Sequence, residues 1–360
     1  MVKKIKIKYL VIGNSAGGIG AAEAIRQADR AGTLAIVSDE PYPAYSRPLI
    51  AEYLATGCSL ERMLYRPADF YQQHHIETYL GSEVARLDLG QHLAEVADGP
   101  VITWEKLLLA TGGLPIVPPM DGIGLGGVFT FTRLDDARAI SQYLYRVRRA
   151  VVIGGGLIGV SVTEALSKRQ VAVTVVEMKA RLLNMMLDEE TSAREEAALR
   201  QAGVGLVTGH TVAAINGGPG GDKVAGVTLD DGRRLPSELV VVAIGVRPRA
   251  GLAQGTDIKL NRGIVVDHHM ATSYPGVYAC GDVAEAPDFV YSECRLTPVW
   301  PNAYLGGRVA GFNMAGVATV YPGGTALNSL KYFGQDVISA GLVTPPDPSY
   351  ETISHRYNGS

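Results

Sequence analysis

The chain has 360 residues, of which 47% are hydrophobic and 19% charged, with a net charge of −3. That length exceeds one compact core and predicts two or three domains of an ordinary globular kind. The weak negative charge excludes the basic footprint of a nucleic-acid or anionic-membrane binder, and no run of about twenty apolar residues escapes glycine or charge, so no membrane span is expected.

In chain order, residues 1–8 carry lysines but no apolar signal core, which points to a cytoplasmic protein. Residues 5–12 predict a buried parallel strand, 17–31 a helix opening on glycine, and 33–38 a second strand, which together make a βαβ unit. Pro41, Pro43 and Pro48 make 39–48 a loop, and 60–74 predicts a helix. Short β segments follow over 76–110, ending in Ala110-Thr111-Gly112. Pro115, Pro118 and Pro119 mark a boundary.

A helix over 134–147 leads into a second βαβ unit, with strand 150–154, helix 157–169 and strand 171–177. A helix over 188–202 follows, whose acids (Asp188, Glu189, Glu190, Glu195 and Glu196) read as a solvated face. Next come β segments 204–216 and 223–230 around a hairpin tip at Gly217–Gly221, then a strand at 239–243 ending at Ile244-Gly245. Each half thus runs from a glycine turn through a small meander to a strand ending in Ala-x-Gly, an internal repeat. Residues 320–343 open a further β-rich piece before Pro345-Pro346-Asp347-Pro348.

Two glycine turns carry the chemistry. The first has Gly13, Ser15, Ala16 and Gly18 between an apolar strand and a small-residue helix, with Ser15 where a glycine usually lets backbone approach a pyrophosphate. Asp39 and Glu40 both stand where an acid would bind a ribose, and the sequence does not choose between them. The strand ends Ala110-Thr111-Gly112 and Gly281-Asp282 allow close backbone approach. Asp282 either accepts from a ribityl hydroxyl or caps the next helix.

The second turn, Gly154-Gly155-Gly156-Leu157-Ile158-Gly159, is a full dinucleotide fingerprint, and Glu177 ends the next strand at the spacing for a ribose contact. A carboxylate there accepts the ribose hydroxyls of NADH and repels the extra phosphate of NADPH, with Lys179 and Arg181 softening the discrimination.

Cys58, Cys280 and Cys294 are odd in number and widely spaced, so neither a disulfide framework nor a metal ladder is expected, and all three read as inert. His74-His75 and His268-His269 are neighbours whose side chains diverge, so no metal site is expected.

These turns, with Tyr45-Ser46-Arg47-Pro48, Ala110-Thr111-Gly112, Ala243-x-Gly245-x-Arg247-Pro248 and Gly281-Asp282, resemble the two-dinucleotide-binding-domain flavoproteins, the pyridine nucleotide–disulfide oxidoreductase superfamily. The resemblance runs from residue 7 to about 342. It implies an α/β fold of two Rossmann-like domains, the NAD domain (118–245) inserted in a split FAD domain (1–117 and 246–322), with a truncated C-terminal piece (323–360). Val84 matches the position whose backbone meets adenine, Arg47-Pro48 the segment beside the isoalloxazine, and Trp300 the segment at its pyrimidine end. Members usually continue through a longer C-terminal domain, so a shortened protein or a fragment is expected, with its oligomeric state left open.

The disulfide branch of that family carries cysteine beside the flavin, and residues 45–54 hold none. The resemblance therefore implies the branch of rubredoxin, ferredoxin and nitrite reductase flavoproteins and thiol-free NADH oxidases. Two positions depart from the common pattern: Ser161 stands where many members have Glu, and Glu52 is the nearest counterpart of a Lys. The expected activity is hydride transfer from NADH to FAD and electron delivery to an iron–sulfur or rubredoxin-type protein or a small acceptor, with no side chain acting as acid or base. The alternative is a flavin-bound electron-transfer subunit or FAD-binding sensor module that does not itself oxidise NADH.

Overall fold

The computed structural model describes residues 3–343, 345, 348–351 and 353–355; Pro346 and Asp347, expected to break the chain, lie outside the described residues. Strand β1 (Lys4–Ile12) alternates at its start and then becomes continuously apolar, so its second half is buried on both faces. Helix α1 (Ala16–Ala28) leads to β2 (Leu34–Ser38). The helix stops three residues short of expectation because the Asp29 carboxylate accepts from Ala31 N and Gly32 N and folds the chain into a turn.

Helix α2 (Ile50–Thr56) falls where the sequence suggested no helix, and the single helix expected over 60–74 is instead two short ones, α3 (Leu60–Met63) and α4 (Phe70–Gln73). Pro48 lies in the turn that opens α2, where a missing N–H costs nothing. Left-handed Gly57 ends α2, and Pro67 separates α3 from α4. Strand β3 (Ile76–Leu80) pairs parallel with β2, and an antiparallel meander follows in β4 (Val84–Asp88), β5 (Leu93–Val96) and β6 (Val101–Leu109).

After β7 (Gly113–Pro115) come β8 (Val128–Thr130), α5 (Leu134–Tyr143), β9 (Arg149–Ile153), α6 (Leu157–Lys168), β10 (Ala172–Glu177) and α7 (Glu189–Gln201). The β segment expected over 204–216 splits at left-handed Gly209 into β11 (Gly205–Thr208) and β12 (Val212–Gly217), which join different sheets. Then come β13 (Val224–Leu229), β14 (Arg234–Pro236), β15 (Leu239–Val242), β16 (Val246–Pro248), β17 (Ile264–Val265), β18 (Val277–Ala279), β19 (Ala284–Asp288) and β20 (Glu293–Arg295). Helix α8 (Trp300–Met314) and the hairpin β21 (Leu327–Tyr332) and β22 (Gln335–Ala340) complete the elements.

The first sheet has the order β3-β2-β1-β6-β5-β4. The β6 edge away from β1 is shared: β5 pairs antiparallel with its first half, and β18 pairs parallel with Leu107–Leu109. The chain after residue 246 thus returns to the first sheet. The second sheet, β11-β10-β9-β15-β8, is wholly parallel. The two crossings between the sheets, β7 and β16, pair with each other.

Helices α1 and α8 meet backbone to backbone. A Cβ on Gly307 would stand 2.0 Å from the Gly17 carbonyl oxygen, and one on Gly311 2.4 Å from that of Ala21. The acid-rich helix is not simply a solvated face. Glu195 and Glu196 of α7 are buried: Glu196 accepts from Leu182 N and Arg200, while neither Glu195 oxygen has a partner. Among the described residues no helix is long and apolar enough to cross a membrane.

Candidate active site

Both glycine turns open at the carboxyl ends of parallel strands, where doubly wound sheets bind ligands. Past β1, Gly13 has φ +124°, and a Cβ there would meet the Ala110 carbonyl oxygen at 2.0 Å. Ser15 is the N-cap of α1 but its hydroxyl makes no capping bond, so it stays available beside the helix's unpaired N–H groups. Past β9, Gly154 has φ +108° and lies against the Ala243 carbonyl. Before Gly156, the N-cap of α6, nothing stands within 4 Å of an added Cβ.

One continuous cleft of about 1660 Å³ takes in both turns. A single drug-sized ligand fills roughly 300–1,000 Å³, so this volume fits two dinucleotides rather than one. Of the residues expected at the first site, Gly13, Ser15, Ala16, Asp39, Glu40, Arg47, Pro48, Val84, Ala110, Thr111, Gly112, Gly281, Asp282 and Trp300 line it. At the second, Gly154, Gly156, Leu157, Ile158, Glu177 and Gly245 do.

Three expected residues do not line the cleft. Gly18 and Gly159 lie beneath their turns, where a Cβ would strike the carbonyl oxygens of Gly13 and Gly154 at 2.0 and 1.9 Å. Their part is close helix–strand packing. Arg181 lies off the cleft, its Nε buried without a partner and its carbonyl accepting from the Asn184 amide.

The two candidate ribose acids have different surroundings. Glu40 is buried and accepts from the Tyr45 hydroxyl and from Arg47, which also donates to Thr132 O at 3.0 Å. Asp39 accepts from Arg133 and from Arg249, each at 2.7 Å. Burial works to raise the Asp39 carboxyl, but the hydrogen bonds from Arg249 and Arg133 hold it below the usual range. Asp39 is therefore the more available acid, and Arg133 and Arg249, which line the cleft beside it, are residues the sequence did not single out for this site.

On the other strand end, burial pushes the Asp282 carboxyl up, against the pull of the Arg47 charge. Burial pushes the Cys280 thiol up to about 12, which keeps it protonated, and its sulfur packs on Gly17 of α1. Cys280 is the sole cysteine among the described residues that lines the cleft. The adjacent histidines His268 and His269 are engaged with the backbone carbonyls of Tyr321 and Thr319.

At the second turn, one Glu177 oxygen accepts from Gly155 N at 2.6 Å and the other from Lys179 N at 2.8 Å. Each oxygen keeps a free lone pair for a ligand hydroxyl. The hairpin β21–β22 also reaches this cleft, with Leu330 and Tyr332 on its wall.

The model of the pyridine nucleotide-disulphide oxidoreductase family matches residues 7–304. The chain belongs to that family. Its relatives include the epsilon subunit of an NADH-dependent phenylglyoxylate dehydrogenase from Aromatoleum evansii, 34% identical over 94% of this chain and 80% of the relative. The assimilatory nitrate reductase electron transfer subunit of Bacillus subtilis is 30% identical over 94% of this chain, which spans only 43% of that protein. Among solved structures, a ferredoxin reductase from Rhodopseudomonas palustris superposes with a TM-score of 0.84 at 28% identity, over 89% of this chain and 79% of that one.

The protein is thus an FAD- and NAD(H)-dependent oxidoreductase. The residues present fit both groups: glycine cradles that a Cβ would block, helix N-termini for two pyrophosphates, and an acid past each second strand.

Proposed function

We propose that this oxidoreductase takes NADH on the second turn and FAD on the first, and passes electrons from the flavin to a small iron–sulfur protein. The observation that carries the reading is the single cleft shared by both turns. When bound, FAD supplies acceptance of a hydride and release of electrons one at a time. The domain division that fits is an NAD domain over 118–245 inserted in an FAD domain over 1–117 and 246–322.

The chain's own part is orientation. The α1 and α6 N-termini would hold the pyrophosphates, Asp39 and Glu177 would hold the two adenosine riboses, and Asp282 would accept from the ribityl chain. Arg47 is set by Glu40 and by Thr132 O, which fixes the wall beside the flavin ring. No thiol relay fits, because the 45–54 segment lacks cysteine and the Cys280 thiol stays protonated.

The names of the relatives support a protein acceptor: an electron transfer subunit, putidaredoxin reductase and a biphenyl dioxygenase ferredoxin reductase component. The three free thiols suit the reducing cytoplasm, where we place the protein. The test is steady-state reduction of [2Fe–2S] ferredoxins and of rubredoxin by NADH with the FAD-loaded protein. Saturable reduction of at least one is expected; turnover with dioxygen alone overturns the protein acceptor.

A further inference from the structure

The methionines fall into two sets. Met63, Met270 and Met314 are sealed in the core, at 0%, 1% and 3% exposure. Met120, Met178, Met185 and Met186 all line the cleft, so every methionine among the described residues that the core does not enclose stands on its wall. Met178 is 63% exposed, and Met185, at 83%, is the most exposed large apolar side chain among the described residues.

The loop between β10 and α7 carries Met178, Met185 and Met186, and other groups fix it in place. Leu182 and Leu183 are buried, Leu183 N donates to Gly155 O of the second turn at 2.8 Å, and the Ser339 hydroxyl donates to Met186 O. Met178 directly follows Glu177, the acid of that turn. The loop is thus anchored against the second turn while the Met178 and Met185 side chains stay in water.

Two properties of the thioether meet at this place. An unbranched, polarisable side chain adapts to a flat ligand ring. Its sulfur also takes an oxygen atom from a peroxide and becomes a polar sulfoxide. The cysteine on the same cleft is a poorer target, because Cys280 is buried and its thiol is pushed up to about 12, away from the reactive thiolate.

We propose that Met178 and Met185 are a modification site, an oxidation switch that hydrogen peroxide closes against the nicotinamide dinucleotide. One oxygen atom passes from the peroxide to each sulfur, the sulfur gives up two electrons, and the peroxide leaves as water. This rests on the reading of the second turn as the NADH site. A dinucleotide held at Glu177 covers side chains beside that acid, and a sulfoxide covered there loses water at a cost that a thioether does not bear. The change reverses when a methionine sulfoxide reductase returns the thioether and a dithiol is oxidised to the disulfide.

The test is treatment of the FAD-loaded protein with hydrogen peroxide, read by peptide mass mapping and by calorimetric titration with ADP-ribose. Met178 and Met185 should each gain one oxygen atom before Met63, Met270 and Met314 gain any. ADP-ribose affinity should fall about 3- to 10-fold and return after incubation with methionine sulfoxide reductases A and B and dithiothreitol. A double variant carrying Met178→Leu and Met185→Leu should bind ADP-ribose equally before and after peroxide. Unchanged affinity in the wild type with both sulfurs oxidised overturns the switch. Oxidation of the core methionines first also overturns it, as does an equal loss of affinity in the double variant, which would place the effect at another residue. Failure of ADP-ribose to bind the untreated protein removes the NADH site itself, and the switch with it.

Discussion

At the residue scale, Glu177 is, on the proposed reading, the side chain that selects between nicotinamide dinucleotides. Its oxygens are held by Gly155 N and Lys179 N, so the carboxylate cannot swing away from an incoming phosphate. Two unit charges about 4 Å apart at an effective dielectric of 20 repel by roughly 4 kcal/mol, and half of that after screening is still more than tenfold. NADH should therefore exceed NADPH in kcat/KM by more than tenfold, and Glu177→Ala should narrow the ratio mainly by raising the value for NADPH, with a smaller loss for NADH. Arg181, four residues on and not part of the cleft lining, should leave the ratio unchanged when replaced by Ala.

Glu195 gives a pH-dependent signature. Burial first, and then the charge of Glu164, raise its carboxyl above the unfolded value. The folded chain then keeps a proton that the unfolded chain releases above about pH 4, so stability falls as pH rises towards the folded pKa. Glu195→Gln should lose less Tm between pH 5 and pH 8 than the wild type, as read by thermal melts at both values. An identical loss in the two proteins would show that Glu195 does not carry this dependence.

At the element scale, the first glycine turn, the proposed FAD cradle, depends on how closely α1 and α8 approach. A Cβ on Gly307 would press on the Gly17 backbone, which has little room to yield. Gly307→Ala should cost about 1–3 kcal/mol in urea unfolding and reduce FAD retention, since α1 would shift from its turn. The βαβ units, their glycine turns and most strand limits were legible because they rest on local pattern: apolar strand, tight turn, small-residue helix.

Other elements were not legible for equally physical reasons. The α2 helix follows a proline-rich loop and packs against α6, more than a hundred residues later. Choosing between Asp39 and Glu40 needs Arg133 and Arg249, which lie 94 and 210 residues from Asp39 in the chain. The burial of Glu195 and Glu196 is likewise set by tertiary packing, and their charge alone suggested solvent. Tyr332 lay in a segment whose sequence showed only β character.

At the scale of the whole molecule, the two sheets repeat one plan. In each, the third, second, first and fourth strands of a unit lie in that order: β3-β2-β1-β6 and β11-β10-β9-β15. An antiparallel meander precedes the fourth strand in both. The paired crossings β7 and β16 and the ion pairs Arg133–Asp39 and Arg249–Asp39 link the parts around the cleft. The outcome is two loop-to-helix openings facing one space.

That shared space would let a hydride pass directly from NADH to the flavin. The most direct measurement is anaerobic stopped-flow mixing of the FAD-loaded protein with NADH and with NADH deuterated at C4. Rapid loss of the visible flavin band, slowed by deuterium, is the predicted result. A flavin band that persists while NADH is bound would contradict it.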